Sequence, residues 1–298
     1  MKNKHSAPFV AILDAAQQEK LKVDLSAQGF SFHTAPYACF CAKKQGISCT
    51  LYTSGKLVVQ GRAKEEFLQF YLEPELLQDL SFSHPELAFS PSARIGMDEA
   101  GKGDFFGPLC VAALFAPENS ISKLLQLGVK DSKKLQDSQV LEISRSLKEN
   151  FSYKILTLMP KTYNRLYERY HNLNLLLAWA HATVLEELSH KTHCKEALLD
   201  QFANPNIMTK ILSYKHLDVH LTQRTHAEED PVVAGASILA RAAFVEGIEE
   251  LERITGLTLP KGASLPVKNA AKMLVKERGL EMLYHVSKHH FKTTAEVS

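Results

Sequence analysis

The pattern of hydrophobic and polar positions divides the chain into two predicted units. In the first 80 residues, short apolar runs alternate with the pairs Gln45-Gly46 and Ser54-Gly55, whose glycines suit tight hairpin turns. The predicted elements are a helix from Pro8 to about Gln28, strands from Tyr37 to Lys44, Ile47 to Thr53 and Lys56 to Gln60, and a helix from Ala63 to Leu80 that is broken at Pro74. This order indicates a small α+β unit with a three-stranded meander.

An irregular segment follows the first unit. Residues 81–93 contain two prolines and four serines and show little hydrophobic periodicity. Such a composition predicts a linker. We therefore expect a first domain at residues 1–80, a linker at 81–93 and a second domain at 94–298.

In the second domain, strand-like apolar runs alternate with helical periodicity, which is typical of a mixed α/β fold with a sheet flanked by helices. Strands are predicted from Arg94 to Met97, Leu109 to Ala116, Tyr153 to Leu158, Glu196 to Leu199 and Val219 to Gln223. Helices are predicted from Leu135 to Lys148, from Asn172 through Leu188, from Ile238 to Leu251 and from Asn269 to Lys288. The helix after Asn172 has the clearest apolar stripe.

Composition excludes several classes of protein. With 298 residues, 45% of them hydrophobic and 23% charged, the chain differs from disordered and collagen-like sequences. Its five cysteines have no CxxC spacing, so a disulfide framework or structural zinc site is not indicated, and a reducing compartment is expected. The first apolar run is too short for a signal peptide, and no stretch approaches a membrane span. We expect a cytoplasmic protein with no membrane partner.

Acidic residues recur at the ends of the predicted strands of the second domain. Asp98 and Glu99 follow the first strand, Asp200 closes the fourth, and Glu228 follows the fifth. If these three strands are neighbours, their ends bring the four carboxylates to one rim of the sheet, where open α/β sheets bind ligands. Carboxylates so close together repel each other unless a cation compensates. Mg²⁺ prefers oxygen ligands, and a pair of such ions can promote phosphodiester hydrolysis.

The turn Gly101-Lys102-Gly103 directly follows the first acidic pair. Its two glycines have no side chain and permit close approach of the backbone to a ligand. The turn is not a phosphate-binding P-loop, which needs four residues between its first glycine and the Gly-Lys-Ser/Thr group. The formal net charge of +2, from 35 Lys+Arg and 33 Asp+Glu, does not by itself indicate a nucleic-acid partner.

Several longer motifs resemble the type 2 ribonuclease H family, and in particular its ribonuclease HIII branch. They are GMDEAGKGDFFGPLCVAA at 96–113, DSKKL at 131–135, YHNLNLLLAWAHA at 170–182 and LLDQF at 198–202. The lysine of GKG is typical of the HIII branch, where the HII branch usually has arginine. The stretch CTLYTSGKLVVQGR at 49–62 is similar to one repeat of the TATA-binding-protein fold, a domain that separates HIII from HII.

The resemblance implies a fold and an activity. The fold is a ribonuclease H-like catalytic domain preceded by a TATA-binding-protein-like domain that grips nucleic acid. The activity is endonucleolytic hydrolysis of RNA in RNA/DNA hybrids by a monomer with two Mg²⁺ or Mn²⁺ ions and no obligate protein partner, leaving 5′-phosphate and 3′-hydroxyl ends. The implied catalytic and metal-binding residues are Asp98, Glu99, Asp200 and Glu228, and the implied substrate contacts are Gly101, Lys102, Gly103, Ser132, Lys133 and Lys134.

The fourth carboxylate has neighbours that could replace it. The HIII branch has a Lys-Ala-Glu-like tripeptide, which here is His226-Ala227-Glu228. Glu229 and Asp230 adjoin it and are alternative candidates. We favour Glu228.

Two other functions remain open from the sequence. The protein could incise duplex DNA at single embedded ribonucleotides, as ribonuclease HII does, or it could bind hybrids without cutting them. Acidic groups facing a phosphate backbone are costly without metal, which argues against the second alternative. None of the 13 histidines is assigned a catalytic role, and His181, on the long helix, is expected to be an interior packing residue.

Overall fold

A computed structural model of the chain describes residues 7–80, 83, 89–129, 132 and 135–297. The chain separates into two compact units, Met1–Ser90 and Pro91–Ser298. The mixed α/β class expected from the sequence is confirmed, and each unit contains a five-stranded sheet.

The first unit is an antiparallel sheet with strand order β1-β5-β4-β3-β2. Its strands are β1 (Phe9–Ile12), β2 (Ser31–His33), β3 (Ala38–Lys44), β4 (Ile47–Tyr52) and β5 (Lys56–Gln60). Helix α1 (Ala15–Ala27) and helix α2 (Lys64–Phe67), which continues as a π-helix over Leu68–Leu77, bury apolar residues against one face. The predicted meander is the centre of this sheet.

Two predictions for the first unit are wrong in detail. The segment predicted as one helix from Pro8 is strand β1 followed by α1, because residues 9–12 pair with β5 and Asp14 then starts the helix. The Asp14 side chain accepts from the Gln17 N–H at 2.8 Å, and the Gln17 side chain accepts from the Asp14 N–H at 3.0 Å, which is a capping box. Pro74 does not end the second helix and is accommodated within its wide π-helical part.

The sheet of the second unit has strand order β10-β9-β6-β7-β8. Its strands are β6 (Arg94–Ala100), β7 (Leu109–Ala116), β8 (Ser152–Leu158), β9 (Glu196–Asp200) and β10 (His220–Arg224). β6, β9 and β10 are parallel to each other, and β7 and β8 extend the sheet in antiparallel pairing. The first, fourth and fifth predicted strands are therefore neighbours, which is the condition for their carboxylates to meet at one rim of the sheet.

Helices cover both faces of this sheet. They are α3 (Ile121–Gln126), α4 (Asp137–Asn150), α5 (Pro160–Tyr170), α6 (Leu173–Thr192), α7 (Pro205–Tyr214), α8 (Pro231–Thr255), α9 (Leu265–Arg278), α10 (Leu280–Val286) and α11 (Lys292–Val297). The helix predicted from Asn269 to Lys288 is instead α9 and α10, separated at Gly279. Pro160 is the first residue of α5, where a missing N–H is tolerated.

Alternation along the strands sends successive side chains to different helices. Ile95 and Met97 of β6 pack in the core cluster with α6, whereas Gly96 lies under α8. A Cβ on Gly96 would lie 2.4 Å from the carbonyl carbon of Val232, so glycine allows the start of α8 to approach the sheet closely. Among the described residues α8 is the one helix long and apolar enough to span a membrane, but most of that stretch is buried inside the protein.

Candidate active site

A cleft of about 570 Å³ lies at the end of β6 and β9 in the second unit. It brings together the predicted carboxylates and the glycine turn. The lining residues are Asp98, Glu99, Ala100, Gly101, Lys102, Gly103, Asp104, Ser132, Asp200, Glu228, Ser237, Arg241, Phe244 and Lys261. Lys133 and Lys134 lie outside the described residues.

The backbone places the carboxylates level with one another. Met97 of β6 is paired with Leu199 of β9, so Asp98 and Asp200 follow at the same height. β6 extends three residues further than predicted, so Asp98 and Glu99 lie within the strand. The Asp200 Oδ1 accepts a hydrogen bond from the Ala227 N–H at 3.0 Å, which holds the short 3₁₀ turn that carries Glu228.

Asp98 is directed towards α8. Its Oδ1 accepts the Glu99 N–H at 2.8 Å, and its side chain is hydrogen-bonded to Ser237 of α8. The Ser237 hydroxyl is in turn 2.8 Å from that of Ser132. Burial, followed by the nearby charge of Glu99, raises the pKa of Asp98 above its usual value.

Glu99 is directed towards the other face of the sheet and meets two nitrogen groups. Its Oε2 is 3.0 Å from the Nε2 of His181 on α6, and its Oε1 is 3.5 Å from the Nζ of Lys102. Burial opposes ionisation of Glu99, but His181 and then Lys102 outweigh it and lower the pKa of this carboxyl. The two adjacent carboxyls are therefore shifted in opposite directions.

His181 is more than the packing residue expected from the sequence. It is fully buried, as predicted, but it also contacts Glu99, and its ring stacks on Phe202 at 5.1 Å between centroids. The Lys102 ammonium lies 5.6 Å from the centre of the same Phe202 ring. A histidine within the apolar stripe of α6 needs a polar partner, and this requirement is the signal that could have identified it.

The two glycines of the turn have different surroundings. Gly101 has φ +84°, and a Cβ there would lie 2.2 Å from the carbonyl oxygen of Pro108. A Cβ on Gly103 would have no protein atom within 4 Å. The fold therefore requires glycine at the first position, whereas the second is open on its side-chain side.

The acidic residues next to Glu228 occupy different surroundings. Asp230 is bound by both Oδ atoms to the Arg94 guanidinium, at 3.1 and 2.9 Å, and accepts the Val232 N–H as the N-cap of α8. Glu229 is exposed and does not line the cleft. The geometry thus favours Glu228 over both alternatives.

Comparison with known proteins agrees with the motifs. Residues 95–294 match the family model described as ribonuclease HII, and residues 8–81 match a domain of unknown function, DUF3378. Ribonuclease HIII of Protochlamydia amoebophila (strain UWE25) is 48% identical over 286 residues, which cover 96% of this chain and 95% of the relative. Ribonuclease HIII of Chlamydia felis (strain Fe/C-56) is 43% identical and covers 98% of both chains. The chain belongs to the ribonuclease HIII family.

A solved structure supports the same assignment for the fold of both units. The crystal structure of Bst-RNase HIII in complex with Mn²⁺ is similar with a TM-score of 0.68 and 30% identity, and covers 98% of each chain. As a ribonuclease HIII the protein is an enzyme of the ribonuclease H class, so the alternative of a nonenzymatic hybrid-binding protein is wrong.

Two cations of this ribonuclease HIII were not identified from the sequence. Arg241 of α8 donates to the carbonyl oxygens of Ser132 and Leu135, and to Asp137 at 2.8 Å. Lys261 forms an ion pair with the same Asp137. Both line the cleft, and Arg241 holds the carbonyl oxygens of Ser132, whose own side chain is buried, and of Leu135.

The donor set of the cleft is suited to a hard cation. Four carboxylates from three chain segments supply oxygen ligands, and the raised pKa of Asp98 reflects a charge that a cation would stabilise. In the part of the chain that the structure describes, no three His, Cys, Asp or Glu side chains are placed so that together they could hold one metal ion. The residue types fit Mg²⁺ or Mn²⁺.

Proposed function

We propose that this ribonuclease HIII is an endonuclease that hydrolyses the RNA strand of RNA/DNA hybrids with two divalent ions, leaving 5′-phosphate and 3′-hydroxyl ends. The observation that carries the proposal is the meeting of four carboxylates with an open glycine turn in one cleft. Acidic groups alone would repel a nucleic acid. Beside a backbone that can approach a ribose, they suit a metal-dependent nuclease.

In this proposal Asp98, Glu99, Asp200 and Glu228 hold Mg²⁺ or Mn²⁺. The bound ions would activate a water molecule and stabilise the leaving oxygen. The chain's own contacts prepare the ligands: His181 and Lys102 keep Glu99 ionised and oriented, and Asp200 fixes the turn that presents Glu228. Mn²⁺ is the ion in the Bst-RNase HIII complex.

The glycine turn is proposed to recognise the ribose. The 2′-hydroxyl distinguishes RNA from DNA at a given site. Gly103 leaves room for a sugar beside the backbone, and Lys102, with its side chain 35% exposed, is available to a neighbouring phosphate. Lys133 and Lys134 belong to the same proposal. The Ser132 hydroxyl contacts that of Ser237, which is hydrogen-bonded to Asp98, so we propose that Ser132 acts on Asp98 through Ser237.

We assign the first domain, residues 1–80, to gripping the hybrid, with residues 81–93 as a linker. The outer face of its sheet carries the exposed side chains of Lys43 and Lys56. Lys44 is held by the carbonyl oxygen of Gln28 at 2.9 Å. Phosphate contacts of this kind supply affinity without sequence preference. A single copy of the chain contains all the proposed parts, so we propose a monomer.

Substitution of the carboxylates tests the proposal. Asp98→Asn and Asp200→Asn should each abolish Mg²⁺-dependent cleavage of a hybrid while folding and hybrid binding persist, because each removes a charge that the ions need. Glu229→Gln is the matched control, since this exposed acid adjoins Glu228 outside the cleft. Full Mg²⁺-dependent activity in both asparagine variants would refute the assignment.

Incision at single ribonucleotides is the second candidate activity, because the model described as ribonuclease HII matches the whole catalytic region, residues 95–294. One duplex with a single ribonucleotide and one with a run of several distinguish the two. We expect the run to be cut faster. Equal or preferred cutting of the single ribonucleotide would favour the second candidate.

A further inference from the structure

A buried lysine holds the loop that follows the glycine turn. Lys288, between α10 and α11, has no exposed surface, and its ammonium donates to the carbonyl oxygens of Asp104 at 2.9 Å, Gly107 at 2.7 Å and Phe106 at 3.4 Å. A lysine ammonium has three N–H donors. Each of them therefore has a backbone acceptor within residues 104–107.

The backbone next to Lys288 runs along the same loop. The Lys288 N–H donates to the Phe105 carbonyl at 2.8 Å, and the Gly107 N–H donates to the Val286 carbonyl at 3.0 Å. On the other side, Asp104 accepts the Gly262 N–H at 2.6 Å, and the Phe105 N–H donates to the Gly262 carbonyl at 2.9 Å. The loop is thus fixed from two sides, by Gly262 and by residues 286–288.

Residues 287–289 are themselves tied to α5. The Asn164 side chain donates to the Ser287 carbonyl at 2.9 Å and accepts the His289 N–H at 2.9 Å. These bonds flank Lys288 on both sides. The backbone of Lys288 is consequently anchored to α5 as well as to the loop.

Packing alone does not explain a lysine at this position. A methionine would fill a similar volume without the cost of burying an ammonium, a cost that lowers the pKa of Lys288 to about 7. Methionine would, however, leave three carbonyl oxygens of one loop without their donor. The three donors of the lysine therefore correspond to three backbone acceptors of the loop. The first of these acceptors belongs to Asp104, which directly follows Gly103 in the chain.

We propose that Lys288 is a positioning residue for substrate recognition. By fixing residues 104–107 it holds Gly101-Lys102-Gly103 in one conformation against the ribose and phosphate of the RNA strand. This inference rests on the proposed function of the turn. Lys288 does not line the cleft and does not touch the reacting atoms.

Lys288→Met tests the proposal with Thr255→Val as the matched control. Thr255 is also fully buried in the catalytic unit, and its hydroxyl lies near the carbonyl oxygens of Leu251, Glu252 and Leu257, none of which belongs to the loop. At a temperature where both variants are folded, we expect kcat/KM for a hybrid to fall at least about tenfold in Lys288→Met, because small misplacements cost large factors, and less than about threefold in Thr255→Val. Equal losses in the two variants would overturn the proposal.

A double-mutant cycle with Lys102→Ala separates positioning from general destabilisation. If Lys288 acts through the turn, Lys288→Met should cost much less in the Lys102→Ala background than in the wild type. The same fold-loss in both backgrounds would contradict the proposal. If Lys288→Met does not fold, Lys288→Gln, which keeps two N–H donors, replaces it in the same cycle. Hybrid cleavage by the wild-type chain in the same assay tests the proposed function separately.

Discussion

Alanine should lower stability at Gly101, the first glycine of the turn, and activity at Gly103, the second. At Gly101 the φ of +84° costs an L-residue about 1–2 kcal/mol. The new Cβ would also lie 2.2 Å from the Pro108 carbonyl oxygen and 2.7 Å from the Phe244 ring. Relieving such an overlap costs a further 1–3 kcal/mol, roughly. Gly101→Ala should therefore lower the free energy of unfolding by about 2–5 kcal/mol.

Gly103→Ala should leave stability almost unchanged. Its Cβ would meet no protein atom within 4 Å, and replacing glycine where the backbone is compatible stabilises by up to about 1 kcal/mol through the unfolded state. The methyl group would, however, occupy the side from which we propose that the ribose approaches. We expect kcat/KM for a hybrid to fall at least about tenfold, equivalent to about 1.4 kcal/mol of transition-state binding.

The two effects are measured separately. The chain has one tryptophan, Trp179, which lies on α6 of the catalytic unit, so its fluorescence during urea unfolding reports on that unit. Initial rates on a hybrid with Mg²⁺ report on the turn. Wild-type rates in Gly103→Ala would refute the proposed approach of the ribose, and wild-type stability in Gly101→Ala would refute the argument from steric overlap.

Two further predictions concern the acidic pair. His181→Phe preserves an aromatic ring against Phe202 but removes the hydrogen bond to Glu99. Activity should therefore fall about tenfold to hundredfold, and a metal titration should show a weaker apparent affinity for Mg²⁺. An unchanged titration would contradict this prediction. The folded-state pKa of Asp98 is raised from 3.8 to about 7. Between these two pH values the folded protein binds more protons than the unfolded chain, so it loses stability as the pH rises. In EDTA, Asp98→Asn should therefore raise the melting temperature at pH 8 by more than at pH 5, and a gain independent of pH would disprove the assignment.

The strands of the second sheet, and the carboxylates that meet at its edge, could be predicted because their determinants are local. β7 was predicted with its observed bounds, since a continuous apolar run between Pro108 and Pro117 has few alternatives to a buried strand. β1 could not be predicted in the same way. Its four residues form a strand through pairing with β5, and they precede a helix without an intervening glycine or proline.

The side chains that support the site depend on distant partners. Arg241 meets Ser132 and Asp137, which lie 109 and 104 positions earlier in the chain. Lys288 meets carbonyl oxygens more than 180 positions earlier. Main-chain acceptors leave no mark in the sequence, so neither cation could be assigned before the fold was known. The strand-end carboxylates needed only the strand order.

The parallel pairing of β6 with β9 has a consequence for synthesis of the protein. Asp98 is made early, but its neighbours Asp200 and Glu228 follow only after 102 and 130 further residues, and Lys288, which donates to the loop after the glycine turn, follows after 190. Contacts so distant in sequence form late, because the intervening chain must first be ordered. If the proposed site is correct, a nascent chain has no complete set of metal-binding carboxylates until Glu228 has been made, so the partly made chain cannot cut the RNA around it.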